Sequence, residues 1–292
     1  MRCYLIEIAK HSMIGELKEV WKECFMDEGS YIDFYYEKRF SNVTTLVKKV
    51  EEQIVSMLTL IPCEFVNKEQ TQALYYVYAV ATRNDHQKRG YAKELILYAQ
   101  QLANKEGAKT FLVPASQSLF SYYERYGYQT AGRKTTLITS LCQLKKNLSY
   151  HHKKKAIQVN DLAADEFYML REQSFGQSGY IRWDIRALSY LLEEYRFCGG
   201  TAVQVQCEEE VGALLYHYDP TAKKLYVKET TLKQETLGEV LLYMFEGFSL
   251  DRIDQIEITL SNHNIQQGMT FDFAMLSQSF GEDIGFVNLV KD

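Results

Sequence analysis

Only three prolines occur in 292 residues, Pro62, Pro114 and Pro220. That excludes a proline-rich linker or tail. Cysteine is sparse too. Cys3, Cys24, Cys63, Cys142, Cys198 and Cys207 form no C-x-x-C pair. Buried, reduced thiols in a cytoplasmic protein are therefore expected, not a disulfide framework or a zinc site. No run of about 18 apolar residues occurs, so no spanning helix and no membrane partner are expected. The first residues, MRCYLIEIAK, lack the apolar core of a signal peptide. Neither sign of charge dominates. The net charge of -5 gives no polyanion footprint, and nucleic acid is not an expected partner.

Much else is present. A hydrophobic fraction of 46% and a charged fraction of 24% describe an ordinary globular chain. Its length suits two domains, each large enough to bury a core without disulfides or metal.

The first half mixes two hydrophobic periods. RCYLIEIA reads as a strand, and IGELKEVWKECF sets Ile14, Leu17, Trp21 and Phe25 at helical spacing. YIDFYYEKRF predicts a second helix. Three β-rich runs follow: TTLVKKV, QIVSMLTLIPCEFV and QALYYVYAVAT. YAKELILYAQQLANKEG is an amphipathic helix with Tyr91, Leu95, Tyr98 and Leu102 on one face and Gly107 as its stop. TFLV, SLFSYYERYG and TTLITSL predict a strand, a short helix and a closing strand.

KKNLSYHHKKK interrupts this programme. It divides the chain into domains at 1–145 and 156–292, with a linker at 146–155. His151 and His152 are adjacent, but no second ligand pair is near, so no metal is expected. The second half repeats the order of strand, two helices, three strands, helix and strand. The fold class expected is α/β, an α+β mixed sheet in each of two similar domains.

The chemistry concentrates in YYVYAVATRNDHQKRGYAKELILYAQQLA. A strand ending at Val80, Ala81 and Thr82 runs into Gln87-Lys88-Arg89-Gly90-Tyr91-Ala92-Lys93, where a helix starts at once. A helix N-terminus leaves about four N–H groups unpaired and carries partial positive charge. A phosphate placed there satisfies both. Gly90 lets backbone approach it closely, Ala92 is nearly as small, and Lys88 and Arg89 add charge. The plainer alternative is a helix start with no ligand and exposed basic residues.

This loop resembles the acetyl-CoA pyrophosphate loop of the GNAT superfamily of N-acetyltransferases, Arg/Gln-x-x-Gly-x-Gly/Ala, at Gln87, Gly90 and Ala92. The resemblance implies that the backbone at Val80, Ala81 and Thr82 holds the pantetheine arm and the acetyl carbonyl. It implies coenzyme contacts from Lys88, Arg89, Tyr91, Lys93 and Ser116 as well. A second segment, PASQSLFSYYERYGY, is similar to the family's stretch ending Tyr-Glu-x-x-Gly-Phe. Tyr123 falls on the tyrosine often assigned as general acid there; its alternative is a packed aromatic. Three positions depart from the pattern: Tyr128 for Phe, Ser116 for a common Asn, and Asn84 for a common Pro.

The resemblance covers residues 1 to about 142. With the second half, the chain resembles tandem-GNAT proteins of the enhanced-intracellular-survival type, without room for their sterol-carrier-like domain. That type's C-terminal carboxylate role is not carried over to Asp292. The second half is expected to be degenerate. Its matching helix start, LKQETLGEV, has Gly238 inside the helical run and Glu229 and Glu235 around the turn. The resemblance implies acetyl transfer from acetyl-CoA to a primary amine of a small molecule or peptide. The alternative is an acyl-CoA-binding regulatory or scaffolding protein without turnover. The base is left open between Glu64 and a water relay, with a structural Glu64 as the plainer reading. Asp27 and Glu28, between the first two helices, would border the acceptor mouth and attract a cationic amine. Their alternative is as ordinary loop carboxylates.

Overall fold

A computed structural model describes residues 4–68, 70–148, 156–175, 179–245, 253–260 and 269–277. It divides into two compact units. Most of the linker, with His151 and His152, and also Asp292 lie outside the described residues.

The first unit comprises Met1–Phe65, Gln70–Ala131 and Phe273–Glu282. Its strands are β1 (Tyr4–Ile8), β2 (Thr44–Val50), β3 (Gln53–Val66), β4 (Thr71–Thr82), β5 (Lys109–Leu112) and the end of β13 (Met269–Leu276). They run in the order β1-β2-β3-β4-β5-β13. β4 and β5 are parallel, while β13 lies antiparallel to β5 through Met275–Leu112 and Leu276–Phe111. β3 is buried without a break from Ile54 to Ile61, as a strand covered on both faces must be.

The helices are α1 (Ile14–Phe25), α2 (Gly29–Lys38), α3 (Tyr91–Lys105) and α4 (Phe120–Glu124). α1 buries Leu17, Val20 and Trp21 on one stripe and ends where Met26 turns left-handed at φ 55°. α3 buries Leu95, Ile96, Ala99 and Ala103. It stops at Gly107, φ +71°, whose N–H returns to Asn104 O at 3.2 Å. Leu95, Ile96 and Ala99 pack with Leu46, Leu58, Leu60, Val77, Leu112, Tyr123, Tyr128 and Met275 in one core.

The second unit comprises Val66–Glu69, Gly132–Asp272 and Asp283–Asp292. It contains most of β6 (Gln129–Thr139), then α5 (Leu141–Leu148), β7 (Ile157–Asp161), α6 (Ala164–Phe175), β8 (Tyr180–Arg182) and α7 (Ile185–Phe197). β9 (Thr201–Cys207), β10 (Glu210–Asp219), β11 (Lys224–Thr230), α8 (Gln234–Phe245) and β12 (Gln255–Leu260) follow. Its strand order is β6-β12-β11-β10-β9-β7, with β11 and β12 parallel. The parallel pair and the helix between its strands repeat the arrangement of β4, α3 and β5. α5, β8 and β13 are elements the hydrophobic pattern did not announce.

Candidate active site

The end of β4 departs from regular strand geometry. Ala79 has φ 50°, the left-handed region that a residue with a Cβ rarely adopts. Among the described residues, β4 and β5 pair from Leu74–Lys109 to Tyr76–Phe111, so Val80, Ala81 and Thr82 lie past the last rung. Arg83 donates its N–H to Val55 O at 2.9 Å, and Ala81 O accepts from Ser56 Oγ at 2.6 Å. These odd-numbered residues turn their backbone groups toward β3. Strand alternation turns those of Val80 to the opposite edge, where β5 has fallen away.

The loop that follows is braced from within. Gln87 donates Nε2 to Thr82 O at 3.3 Å and to Asn84 Oδ1 at 3.1 Å. Cys24 Sγ also donates to Thr82 O, at 3.3 Å, and burial raises its thiol above the ordinary range. Asn84 N–H donates to Glu23 Oε1 at 2.6 Å, and Arg83 Nη1 reaches Glu23 Oε2 at 3.0 Å. Asn84 thus anchors the loop through a backbone N–H that a proline would lack. Arg89 Nη2 donates to Asp85 O at 2.8 Å. The His86 imidazole beside Asp85 lowers that carboxyl below its ordinary value.

Lys88 (φ 61°) and Gly90 (φ 86°) are both left-handed, and Gly90 is the N-cap of α3. As a glycine it offers no side chain to cap this end. The first intrahelical bond runs from Glu94 N–H to Gly90 O at 3.0 Å, so the amides of Tyr91, Ala92 and Lys93 precede it. A Cβ built on Gly90 meets nothing within 4 Å. The space over the helix start is open, and a left-handed glycine frames it. Lys88, Arg89 and Lys93 are exposed, Tyr91 is buried and Ala92 is half-buried.

Tyr123 lies on α4 and is 9% exposed. It shares the core cluster with Leu95 and Ile96 of α3, and Val80 packs against that cluster. The strand end, the helix and the tyrosine are thus brought together. Burial pushes the Tyr123 phenol up to about 12. Tyr128 is also buried, its hydroxyl 2.8 Å from Thr110 Oγ1, a bond that a phenylalanine there would forgo. Ser116 is exposed, its Oγ 2.8 Å from that of Ser118.

Asp27 and Glu28 join α1 to α2. Asp27 Oδ2 accepts from Trp21 Nε1 at 2.8 Å. The Trp21 ring lies 5.9 Å from that of Tyr78, just before the irregularity in β4, and Tyr31 and Tyr78 hydroxyls are 3.4 Å apart. Asp27 therefore belongs to an aromatic cluster beside the strand end, while Glu28 is exposed. Glu64 is half-buried on β3. Among the described residues, no group of three or more His, Cys, Asp and Glu is placed to hold a metal ion.

A carboxylate sits beside the matching helix start in the second unit. Lys233 N–H donates to Glu210 Oε1 at 2.8 Å, and Thr236 Oγ1 donates to Glu210 Oε2 at 2.5 Å. Gly238 is buried inside α8. Glu229 lies in the interior, where both its carboxylate oxygens accept from Arg171 Nη1 at 3.0 Å. Sequence reasoning missed Glu210 as a cap, because three consecutive glutamates between two strands read as an exposed turn.

Residues 6–131 match the family model described as an acetyltransferase (GNAT) domain. Solved structures share the fold along most of the chain. A probable N-acyltransferase from Enterococcus faecalis V583 has a TM-score of 0.77 at 12% identity, over 94% of this chain and 72% of that one. Eis1 from Mycobacterium abscessus gives 0.68 at 13%, over 94% and 73%. A tandem GNAT protein from the clavulanic acid biosynthesis pathway gives 0.55 at 10%, over 94% and 98%. No curated protein matches. The family match spans residues 6–131, less than half of the chain, and the solved structures add a likeness of fold along most of its length. Its architecture is that of two GNAT-like domains in one chain.

Proposed function

We propose that this protein transfers the acetyl group of acetyl-CoA to a primary amine of a small molecule or peptide. One observation carries the reading: an α3 start whose N-cap is the left-handed Gly90, with no atom within 4 Å of a Cβ built there, adjoining the end of β4 past its last rung with β5. The amides of Tyr91, Ala92 and Lys93 would hold the pyrophosphate, with Lys88 and Arg89 beside it. The outward-turned backbone of Val80 would receive the pantetheine arm and, through its N–H, the developing oxyanion.

The neutral amine attacks the thioester carbonyl carbon, a C–N bond forms and the C–S bond breaks. The departing sulfur takes the phenolic proton of Tyr123, and the proton shed by the attacking nitrogen, carried off through water, returns the phenolate to its phenol. A protein that only bound acyl-CoA would have no use for this proton. We read residues 1–145 as the catalytic domain and 156–292 as a degenerate one, since the Glu210 carboxylate puts negative charge at the start of α8. The five described cysteines are free thiols, which supports a reducing, cytoplasmic setting.

The test is Gly90→Glu. It puts bulk and negative charge where phosphate must sit; a Cβ there meets no neighbouring atom within 4 Å, and the left-handed φ adds backbone strain, so folding is checked by thermal unfolding. Calorimetry should show acetyl-CoA binding lost in a folded variant. Retained affinity would reject the site. Thiol release from acetyl-CoA over a panel of amines, polyamines, aminoglycosides and peptides then separates turnover from binding alone.

A further inference from the structure

A lysine is buried in β2 where an apolar side chain would be expected. The register of β2 against β3 shifts between Lys48 and Lys49. Lys49 stays near the surface and pairs with Glu7 at 2.8 Å. Lys48 instead follows Leu46 and Val47 inward, and its side chain is 3% exposed. Its Nζ lies 2.5 Å from Glu94 Oε2 and 5.9 Å from the centroid of the Tyr91 ring. Tyr91 is the first residue of α3 and Glu94 the fourth. Both of these contacts of Lys48 fall on the first turn of that helix.

Directly across the ladder from Lys48 stands Ser56, fully buried. Ser56 Oγ donates to Ala81 O at 2.6 Å and lies 2.8 Å from Thr82 Oγ1. Two residues on one rung thus fasten the two ends of the loop at 83–90. Ser56 holds the strand that enters it, and Lys48 holds the helix that leaves it. Burying an ammonium is costly unless it is paired, and a methionine would fill the space without that cost. Glu94 is 47% exposed, so solvent weakens the pair as a source of stability. What the pair does supply is a fixed geometry for the helix start.

We propose that Lys48 is a positioning residue for coenzyme binding. Through Glu94 and Tyr91 it sets the first turn of α3, so that the amides there point at the pyrophosphate. This rests on the loop being the coenzyme site. Lys48 itself touches neither coenzyme nor acceptor.

The test uses the full chain and calorimetry with two probes. One is acetyl-CoA; the other is acetyl-pantetheine, which carries the arm and the thioester but no pyrophosphate. Lys48→Met and Glu94→Gln are each expected to weaken acetyl-CoA by about tenfold or more, as a displaced binding geometry does. Acetyl-pantetheine affinity should stay within about twofold. The double variant should be no weaker than the stronger single change, because both remove one interaction. Lys48→Arg should recover most of the affinity.

Lys48→Met with wild-type acetyl-CoA affinity, while Gly90→Glu abolishes it, overturns the role of Lys48. Equal loss for both probes also overturns it, as general damage to the domain. Should Lys48→Met not fold, Glu94→Gln on the helix surface decides by the same two readouts. If Gly90→Glu binds acetyl-CoA normally, the loop itself is not the site.

Discussion

The carboxylate of Glu210 accepts the backbone N–H of Lys233, so the second unit supplies its own anion to the start of α8. In the first unit the N-cap of the corresponding helix is Gly90, which has no side chain to offer. One acetyl-CoA per chain is therefore expected. A titration that fits two equivalent sites would contradict the degenerate reading of residues 156–292.

Tyr123→Phe keeps the ring in its core and removes the proton. The turnover number should fall by about 10- to 10⁴-fold, with little change in acetyl-CoA affinity. The pH profile adds a second check. A phenol at about 12 stays protonated through the alkaline range, so turnover should not decline from its ionisation near pH 10. An alkaline decline with an apparent pKa near the unperturbed value of about 10 would remove Tyr123 from the acid's role.

Asp27→Asn is a favourable probe because an amide oxygen can still accept from Trp21 Nε1. The variant loses charge but not its partner. Combined with Glu28→Gln, it should raise KM for a cationic acceptor and flatten the salt dependence of that KM, leaving acetyl-CoA affinity unchanged. An unmoved KM at low salt would mean that the two carboxylates lie outside the acceptor site.

Arg171 is 1% exposed and Glu229 0%, and the guanidinium is ringed by Phe167, Phe175 and Tyr180 at 5.5–5.7 Å. Its second nitrogen donates to Ile181 O at 3.1 Å. Glu229→Ala strands a buried cation and should cost about 3–5 kcal/mol in urea denaturation. Arg171→Met with Glu229→Leu should recover most of that loss, because an apolar pair needs no desolvated charges. A single change under about 1 kcal/mol would show that water reaches the pair.

The helices were legible because their signals are local. Tyr91 and Leu95 of the expected α3 face are buried and Gly107 ends the helix, but Tyr98 is exposed, and Ile96 and Ala99 complete the buried stripe instead. The loop at 83–90 was legible as a loop for the same reason: strand, glycine and helix start adjoin in sequence. β8, three residues long, carries too few positions for a period to register. β13 was not read as a strand at all, and its place beside β5 depends on a partner more than 150 residues away.

The sequence by itself determined where α1 and α3 lie, which residues surround the start of α3, and that the second half lacks a comparable glycine loop. Tertiary structure decided which charges lie inside. In TTLVKKV the two lysines look alike, and only a shift in strand register sends Lys48 under α3 and Lys49 to Glu7. Glu210 and Glu229 look like surface acids until pairing aims one at α8 and closes Arg171 around the other. A one-residue change in register reverses the face on which a side chain stands, and no local pattern of residues records it.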